Sequence, residues 1–418
     1  MNQAYRPRIV DSELADRLAR TGGVVIEGPR ACGKTSTARQ QAASEVLLDV
    51  DENARRAIGV DPGLVLVGPT PRLIDEWQLE PRIWNHIRRA IDDRGAPGQF
   101  ILTGSAVPPD DITRHTGAGR LTRLRMRTMT LFETGHATGE ISLTALLAGQ
   151  AAKASDPGLS VADLSECVAI GGWPGNLSLG TQPSLAAVRD YLEEIRRADV
   201  VLVDGVHRDP ERIGRLLRAL ARNVATEVSA TTLAEDAGGA DGSLSDDTVR
   251  DYLTALQRLM IVEDQPAWNT HLRSKSVLRK SPKRHFVDPS LAVAALRATP
   301  ERLLEDLEFF GFLFESLVVR DLRAHAQAAD ARVFHYRDNT GLEVDAVVEA
   351  ADGRWAAFEI KLGAGSVDAA ARSLTKFAAR VDRRRCGDPA TLAVIVGMGY
   401  GYVREDGIAV VPIGALGP

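Results

Sequence analysis

Lysine is scarce in this 418-residue chain, with seven residues against forty-four arginines. A composition so tilted uses arginine wherever a generic cation serves, so a retained lysine marks a place for a compact ammonium rather than a planar fork. Cysteine is scarcer still. Cys32, Cys167 and Cys386 are isolated and odd in number with no C-x-x-C pair, which argues against a disulfide framework or a zinc site and suits a reducing cytoplasm. No stretch approaches the roughly 18 apolar residues of a membrane span, and the first residues carry no run resembling a signal peptide. The expectation is a cytoplasmic protein with no membrane partner. With a formal net charge of −5, any nucleic-acid surface must be local. Length points to two or three domains.

Two of the seven lysines fall in motifs. Lys34 closes Gly28-Pro29-Arg30-Ala31-Cys32-Gly33-Lys34-Thr35, the G-x-x-x-x-G-K-[ST] phosphate loop, with Ser36 directly after it. The apolar strand Val24-Val25-Ile26-Glu27 runs into the loop, and a helix is expected over 35–43. Glycines allow the tight turns, successive N–H groups cradle phosphate oxygens, and the helix N-terminus adds its dipole. Lys34 then reaches the β- and γ-phosphates and Thr35 ligates magnesium. A second expected strand, 71–76, ends in adjacent carboxylates of separate roles: Asp75 holds magnesium, and Glu76 polarises the attacking water. A third, 100–105, ends in Thr103-Gly104-Ser105, where Thr103 first and Ser105 second would sense the γ-phosphate.

These residues resemble a prokaryotic family of AAA-type ATPases whose ATPase domain precedes a domain of unknown function with a restriction-endonuclease-like core. The resemblance is carried by Gly28 to Thr35, Leu73-Ile74-Asp75-Glu76-Trp77-Gln78, Ile101 to Ser105, Gly119-Arg120 with 124–133, and Gly171-Gly172-Trp173-Pro174-Gly175. It implies ATP with Mg²⁺ and an arginine finger acting between subunits, hence a homo-oligomer. Arg120 and Arg114 both qualify as that finger by position.

Helical patterns at 212–224, 231–237 and 246–260, the last N-capped by Ser245, precede an extended 261–264. That is the order of a winged helix. Its expected recognition helix carries Asp246, Asp247 and Asp251 against Arg250 and Arg258, which favours packing or protein contact over DNA reading. The segment 268–286 holds Arg273, Lys275, Arg279, Lys280, Lys283 and Arg284 with no acidic residue, and is either a solvated loop or a phosphate-backbone contact.

The C-terminal part has the order α-β-β-β-α-β: a helix over 309–322, strands at 332–337, 342–348 and 355–362 joined by hairpin turns, a helix from about residue 366 and a strand at 392–396. Strand alternation puts Glu359 and Lys361 on one face, with Glu343 and Asp345 alternating on the hairpin partner. Asp345 followed by Glu359-x-Lys361 matches the PD-(D/E)xK pattern. Asp345 and Glu359 would bind Mg²⁺, Glu315 would add a further ligand, and Lys361 would act on the water and phosphate. The alternative is a charged outer face of an amphipathic hairpin. The expected architecture is α/β throughout: an AAA-type P-loop ATPase domain with a helical extension at 1–200, a winged-helix-like region at 205–268, a basic segment at 269–285 and a restriction-endonuclease-like domain at 286–418. The expected function is ATP hydrolysis coupled to action on nucleic acid, with DNA as partner, or else a nucleotide switch whose distal domains only bind.

Overall fold

The structure, a computed structural model, describes residues 4–104, 116–200, 206, 208–239, 242, 244–269 and 281–418. It divides into two compact units. The first comprises Met1–Thr128 with Ala198–His207 and Ala255–Met260, and the second comprises Met129–Arg197, Arg208–Thr254 and Ile261–Pro418. Ser105, Arg114, Arg273, Lys275, Arg279 and Lys280 lie outside the described residues.

The first unit is built on five parallel strands: β1 (Gly23–Glu27), β2 (Ser44–Leu47), β3 (Arg72–Asp75), β4 (Phe100–Gly104) and β5 (Leu121–Arg125). Val24, Val25 and Ile26 of β1 and Phe100, Ile101 and Leu102 of β4 are all buried, the continuous apolar run of a parallel strand covered on both faces. One core gathers Trp77, Trp84, Ile87 and Phe100, and another gathers Leu14, Leu18, Ile26 and Leu124. The order β2-β3-β4-β1-β5 inserts β4 between β1 and β3. Because every strand runs the same way, the residues that follow β1, β3 and β4 collect at one edge of the sheet. The helix after the phosphate loop is Lys34–Arg39, shorter than expected.

The second unit holds a six-stranded sheet in the order β11-β12-β10-β9-β8-β7. The helix Leu307–Ala328 leads into the antiparallel meander β7 (Ala331–Arg337), β8 (Glu343–Ala350) and β9 (Trp355–Lys361). The helix Val367–Arg380 then leads to β10 (Thr391–Val396), parallel to β9, so the expected α-β-β-β-α-β order is present. That helix lays Leu374 and Phe377 against Trp355, Ala357 and Val394. The sequence reading missed the edge strand β11 (Tyr402–Val403) and its neighbour β12 (Ala409–Pro412), and the short pair of β6 (Ile141–Ser142) with β13 (Leu416–Gly417).

The first unit is not the continuous stretch 1–200, since residues 129–197 group with the C-terminal sheet. A buried charge cluster fastens them there. Arg320 pairs with Asp288 at 3.0 Å and with Asp321 at 2.8 Å, Asp288 accepts from the Gly172 N–H at 2.9 Å, and Asp321 accepts from the Leu131 N–H at 2.9 Å. The Gly171–Gly175 stretch is thus a structural turn: a Cβ at Gly172 would lie 2.0 Å from the Met129 carbonyl oxygen.

The region between comprises helices Pro210–Arg222, Ala230–Asp236 and Asp246–Arg258, the last with Ser245 accepting from the Thr248 N–H. The expected strand over 261–264 is reduced to isolated bridges, Val262 with Phe286 and Gln265 with Lys283, and Thr226 bridges Arg284.

Candidate functional site

The phosphate loop leaves β1 through Gly28, where a Cβ would lie 2.4 Å from the Met126 carbonyl oxygen, and ends on Gly33 at φ 101°, a left-handed conformation that favours glycine. The Lys34 ammonium is buried, donating to the Gly28 and Pro29 carbonyl oxygens at 3.0 and 2.9 Å. From β3, Asp75 presents Oδ1 to the Thr35 hydroxyl at 2.8 Å, and the Thr103 hydroxyl from β4 donates to the same oxygen. Lys34, Thr35, Asp75 and Thr103, expected from separate segments, therefore meet at one sheet edge.

Glu76, the expected water-polarising base, follows directly at φ 53°, a strained backbone for a residue other than glycine and one characteristic of functional sites. Gln78 donates its amide to Glu76 Oε2, and Gly104 leaves the room for it: a Cβ there would lie 2.6 Å from Gln78 Oε1. Two further residues were not anticipated. Arg8, from outside the motifs, donates to the Cys32 carbonyl oxygen at 2.8 Å and to that of Arg127 at 2.9 Å, bracing the loop. Arg123 in the middle of β5 pairs with Glu27, and burial holds its guanidinium below the usual range. No linear motif announces either one.

Arg120 stands elsewhere. It precedes β5, whose Leu121 is paired with Gly23 at the start of β1, the sheet edge opposite the loop, and its Nε donates to Asp92 at 2.7 Å. A five-residue strand separates the two edges by roughly 13 Å, so Arg120 does not reach its own chain's phosphate loop.

In the second unit the structure gathers Glu315, Asp345, Glu359 and Lys361 as expected, but with an additional cation. Lys283 Nζ lies 2.6 Å from Glu315 Oε1 and 3.4 Å from Asp345 Oδ1. Lys361 Nζ lies 3.0 Å from Asp345 Oδ2 and 2.8 Å from Glu359 Oε2. Asp345 Oδ2 also accepts from the Ile360 N–H at 2.8 Å, and Glu359 Oε1 accepts from Ser373 at 3.1 Å. Glu315, Asp345 and Glu359 are buried, and of these four residues only Lys361, with a third of its side chain exposed, opens to solvent.

Burial pushes the Glu315 and Glu359 carboxyls up to about 7, reinforced by the neighbouring Asp345 charge. Asp345 feels the same burial, but the Lys283 and Lys361 ammoniums and the Ile360 N–H outweigh it and hold the carboxyl below its usual range. Both lysines lose hydration here, yet their carboxylate partners raise them above the usual ammonium range. Among the described residues, no group of three or more His, Cys, Asp or Glu is disposed to hold a metal ion. Glu315, Asp345 and Glu359 converge on ammonium groups instead of an open position.

The basic segment is corrected in part. Of its six cations, Lys283 is buried in the carboxylate cluster and Arg284 pairs with Asp264, so neither is turned toward a phosphate backbone. On the expected recognition helix, Arg250 is paired with Asp247 at 3.2 Å, and Asp251 is taken by Arg208 at 2.8 Å.

Residues 21–135 match a family model described as an AAA domain, while 161–302 and 310–416 match two models each described as a domain of unknown function. Two uncharacterised proteins, from Mycobacterium bovis and Mycobacterium tuberculosis, are each 26% identical over 355 residues, covering 84% of this chain and 72% of theirs. Among solved structures, a Walker-type ATPase of Pyrococcus abyssi has a TM-score of 0.41 at 11% identity, covering 68% of this chain and 94% of that one. A signal-transduction ATPase with a tetratricopeptide repeat sensor from Pyrococcus horikoshii has a TM-score of 0.22 at 12% identity, covering 78% and 52%. The AAA match coincides with the sheet that carries Lys34, Asp75 and Thr103, and the N-terminal unit is of the AAA ATP-binding type. None of the helices in the described residues is long and apolar enough to cross a membrane.

Proposed function

We propose that this chain is a magnesium-dependent ATPase that acts on nucleic acid through a restriction-endonuclease-like C-terminal domain, with ATP turnover governing engagement. The observation that carries the ATPase half is the convergence of Thr35 and Thr103 on Asp75 Oδ1 beside the buried Lys34. The loop suits ATP. Gly33 supplies a conformation that turns successive N–H groups inward, and Lys34 is held by two carbonyl oxygens that it can exchange for phosphate oxygens. The residues also fit Mg²⁺: Thr35 and Asp75 would hold it, and the ion would offset phosphate charge. Glu76 takes the proton of the attacking water, with Gln78 fixing its carboxylate. Thr103 faces the γ-phosphate, and Arg120 acts on a neighbouring subunit's nucleotide.

Support for the nuclease-like domain comes from the helix–meander–helix–strand order together with Asp345, Glu359 and Lys361 on β8 and β9. The three helices with bridges at Thr226, Val262 and Gln265 support a winged-helix reading of the middle region. Lys283 favours a second reading, a nucleotide-dependent switch whose distal domains bind DNA or a partner protein without cleavage.

Phosphate release from the full chain, with ATP and Mg²⁺ and with or without duplex DNA, tests the proposal. Turnover that DNA alters is expected. Absence of turnover overturns the ATPase half, and DNA that neither binds nor alters turnover overturns the nucleic-acid half.

A further inference from the structure

The C-terminal carboxylates are organised around an ammonium that the PD-(D/E)xK pattern does not contain. Glu315, Asp345 and Glu359 contribute three carboxylates, and Lys283 and Lys361 each bridge two of them, with Asp345 shared. Each oxygen of Asp345 has a donor: Oδ1 faces Lys283, and Oδ2 accepts from Lys361 and from the Ile360 N–H. A divalent ion needs carboxylate oxygens turned toward an open position, and here an ammonium lies between Glu315 and Asp345. With Lys283 in place, the residues do not fit a divalent metal.

The placement of Lys283 is set by the backbone. Its N–H donates to the Gln265 carbonyl oxygen at 3.0 Å and its carbonyl accepts from the Gln265 N–H at 2.9 Å. Gln265 is itself fully buried, and its side-chain amide donates to the carbonyl oxygens of Phe334 and Asp345, both at 2.9 Å. Its side-chain oxygen lies 3.0 Å from the His285 ring. The segment carrying Lys283 is thereby tied through Gln265 to β7 and β8, and the 5% exposure of Lys283 leaves it little room to swing out. The residue type argues the same way. In a chain with seven lysines among fifty-one lysines and arginines, this position keeps the compact ammonium, a localised single positive charge, where a planar guanidinium would need a wider gap.

We propose that Lys283 is the built-in cation of the C-terminal site: its ammonium takes the place between Glu315 and Asp345 that a divalent metal would occupy, and keeps the cluster metal-free in the native chain. This rests on the nuclease-like reading of the C-terminal domain. It assigns the wild-type domain to recognition without metal-assisted cleavage, with Lys283 as the residue that closes the site.

Mn²⁺ titration of the nucleotide-free full chain, followed by electron paramagnetic resonance, is the test. Wild type is expected to bind no Mn²⁺ at millimolar concentration in a manner that Asp345→Asn removes. Lys283→Met should gain a Mn²⁺ site, lost again in Lys283→Met/Asp345→Asn. Because Lys283→Met strands buried carboxylates and can unfold the domain, Lys283→Met/Glu315→Gln, which removes one charge of each sign, is measured beside it. Wild-type binding that depends on Asp345 overturns the inference, whatever the variants do. So does the absence of a gained site in a variant that keeps the wild-type circular dichroism and cooperative melting. Gained Mn²⁺ without DNA cleavage sustains the inference and counts against a latent nuclease, whereas wild-type Mn²⁺ binding with cleavage does the reverse.

Discussion

The Thr35 hydroxyl donates to Asp75 Oδ1 at 2.8 Å, joining the end of the phosphate loop to the end of β3 across forty residues of sequence. Under the proposed function these two side chains would hold the magnesium of a bound nucleotide, with Lys34 immediately beside Thr35. Lys34→Ala is expected to abolish ATP binding by isothermal titration, because the phosphates lose their principal cation. Glu76→Gln should bind ATP with near wild-type affinity and release no phosphate, since an amide cannot take up the water proton. Undiminished phosphate release by both variants would sink the ATPase assignment.

Arg8 offers a test outside the motif. Its guanidinium holds the Cys32 and Arg127 carbonyls, so Arg8→Ala frees the loop without touching a phosphate-binding atom. ATP affinity should fall by roughly tenfold, about 1.4 kcal/mol. Arg8→Lys, with one ammonium for two acceptors, should fall between. Wild-type affinity in Arg8→Ala would make the residue a bystander.

What the sequence disclosed was local. The phosphate loop, the Asp75-Glu76 pair and the Glu359-x-Lys361 strand each lie within a few residues, so strand alternation and loop geometry place their side chains before any tertiary contact is known. The Arg320 cluster was invisible because it joins Gly172, Asp288 and Asp321 across more than a hundred residues, and two of its charges, Arg320 and Asp321, sit on a helix whose other positions read as ordinary core. Lys283 was misjudged for the opposite reason. Composition averages over a segment, and a run of cations with no acids suggests one solvated or phosphate-facing surface. The direction of each side chain depends on strand register, and the bridge to Gln265 turns Lys283 inward.

The remaining cations of that segment, Arg273, Lys275, Arg279 and Lys280, carry the prediction for DNA. Charge reversal at these four should weaken duplex binding for all sequences alike, and flatten log K against log salt by roughly 0.9 per lost contact. An unchanged slope in a salt-titrated fluorescence anisotropy assay would leave the segment as solvated surface. Lys283 and Arg284 belong in no such set, because both are paired inward.

Arg320 is 3% exposed between Asp288 and Asp321, which are buried more completely still. Arg320→Met should destabilise the second unit by about 3–5 kcal/mol in urea, since it leaves two buried carboxylates without their cation. Arg320→Met/Asp288→Asn/Asp321→Asn should recover much of that loss by removing the stranded charges, although Gly172 and Leu131 keep only a neutral acceptor. A single variant as stable as wild type would show that the cluster does not hold residues 129–197 in place.

His325 links stability to pH. It is fully buried on the helix Leu307–Ala328, neither ring nitrogen has a hydrogen-bond partner among the described residues, and burial pushes the imidazole down to about 4. In the unfolded chain the ring titrates near 6.5, so between those values the unfolded state binds a proton that the folded state refuses. Stability from this group is therefore complete above about pH 6.5, declines as pH falls, and levels off below about 4, a loss on the order of 3 kcal/mol. His325→Leu removes the ring but keeps an apolar side chain, and should flatten that limb. Glu315 and Glu359, raised to about 7, contribute in the opposite sense: their folded forms hold protons that the unfolded chain has released, so stability falls as pH rises from the usual carboxylate range toward 7. Both effects are present in wild type, and the difference between wild type and His325→Leu isolates the histidine. Urea denaturation from pH 7.5 to 4 is the measurement, those pH limits chosen from roughly a unit above 6.5 to the lowered value, and parallel stability curves for the two proteins would show that His325 is protonated as readily folded as unfolded.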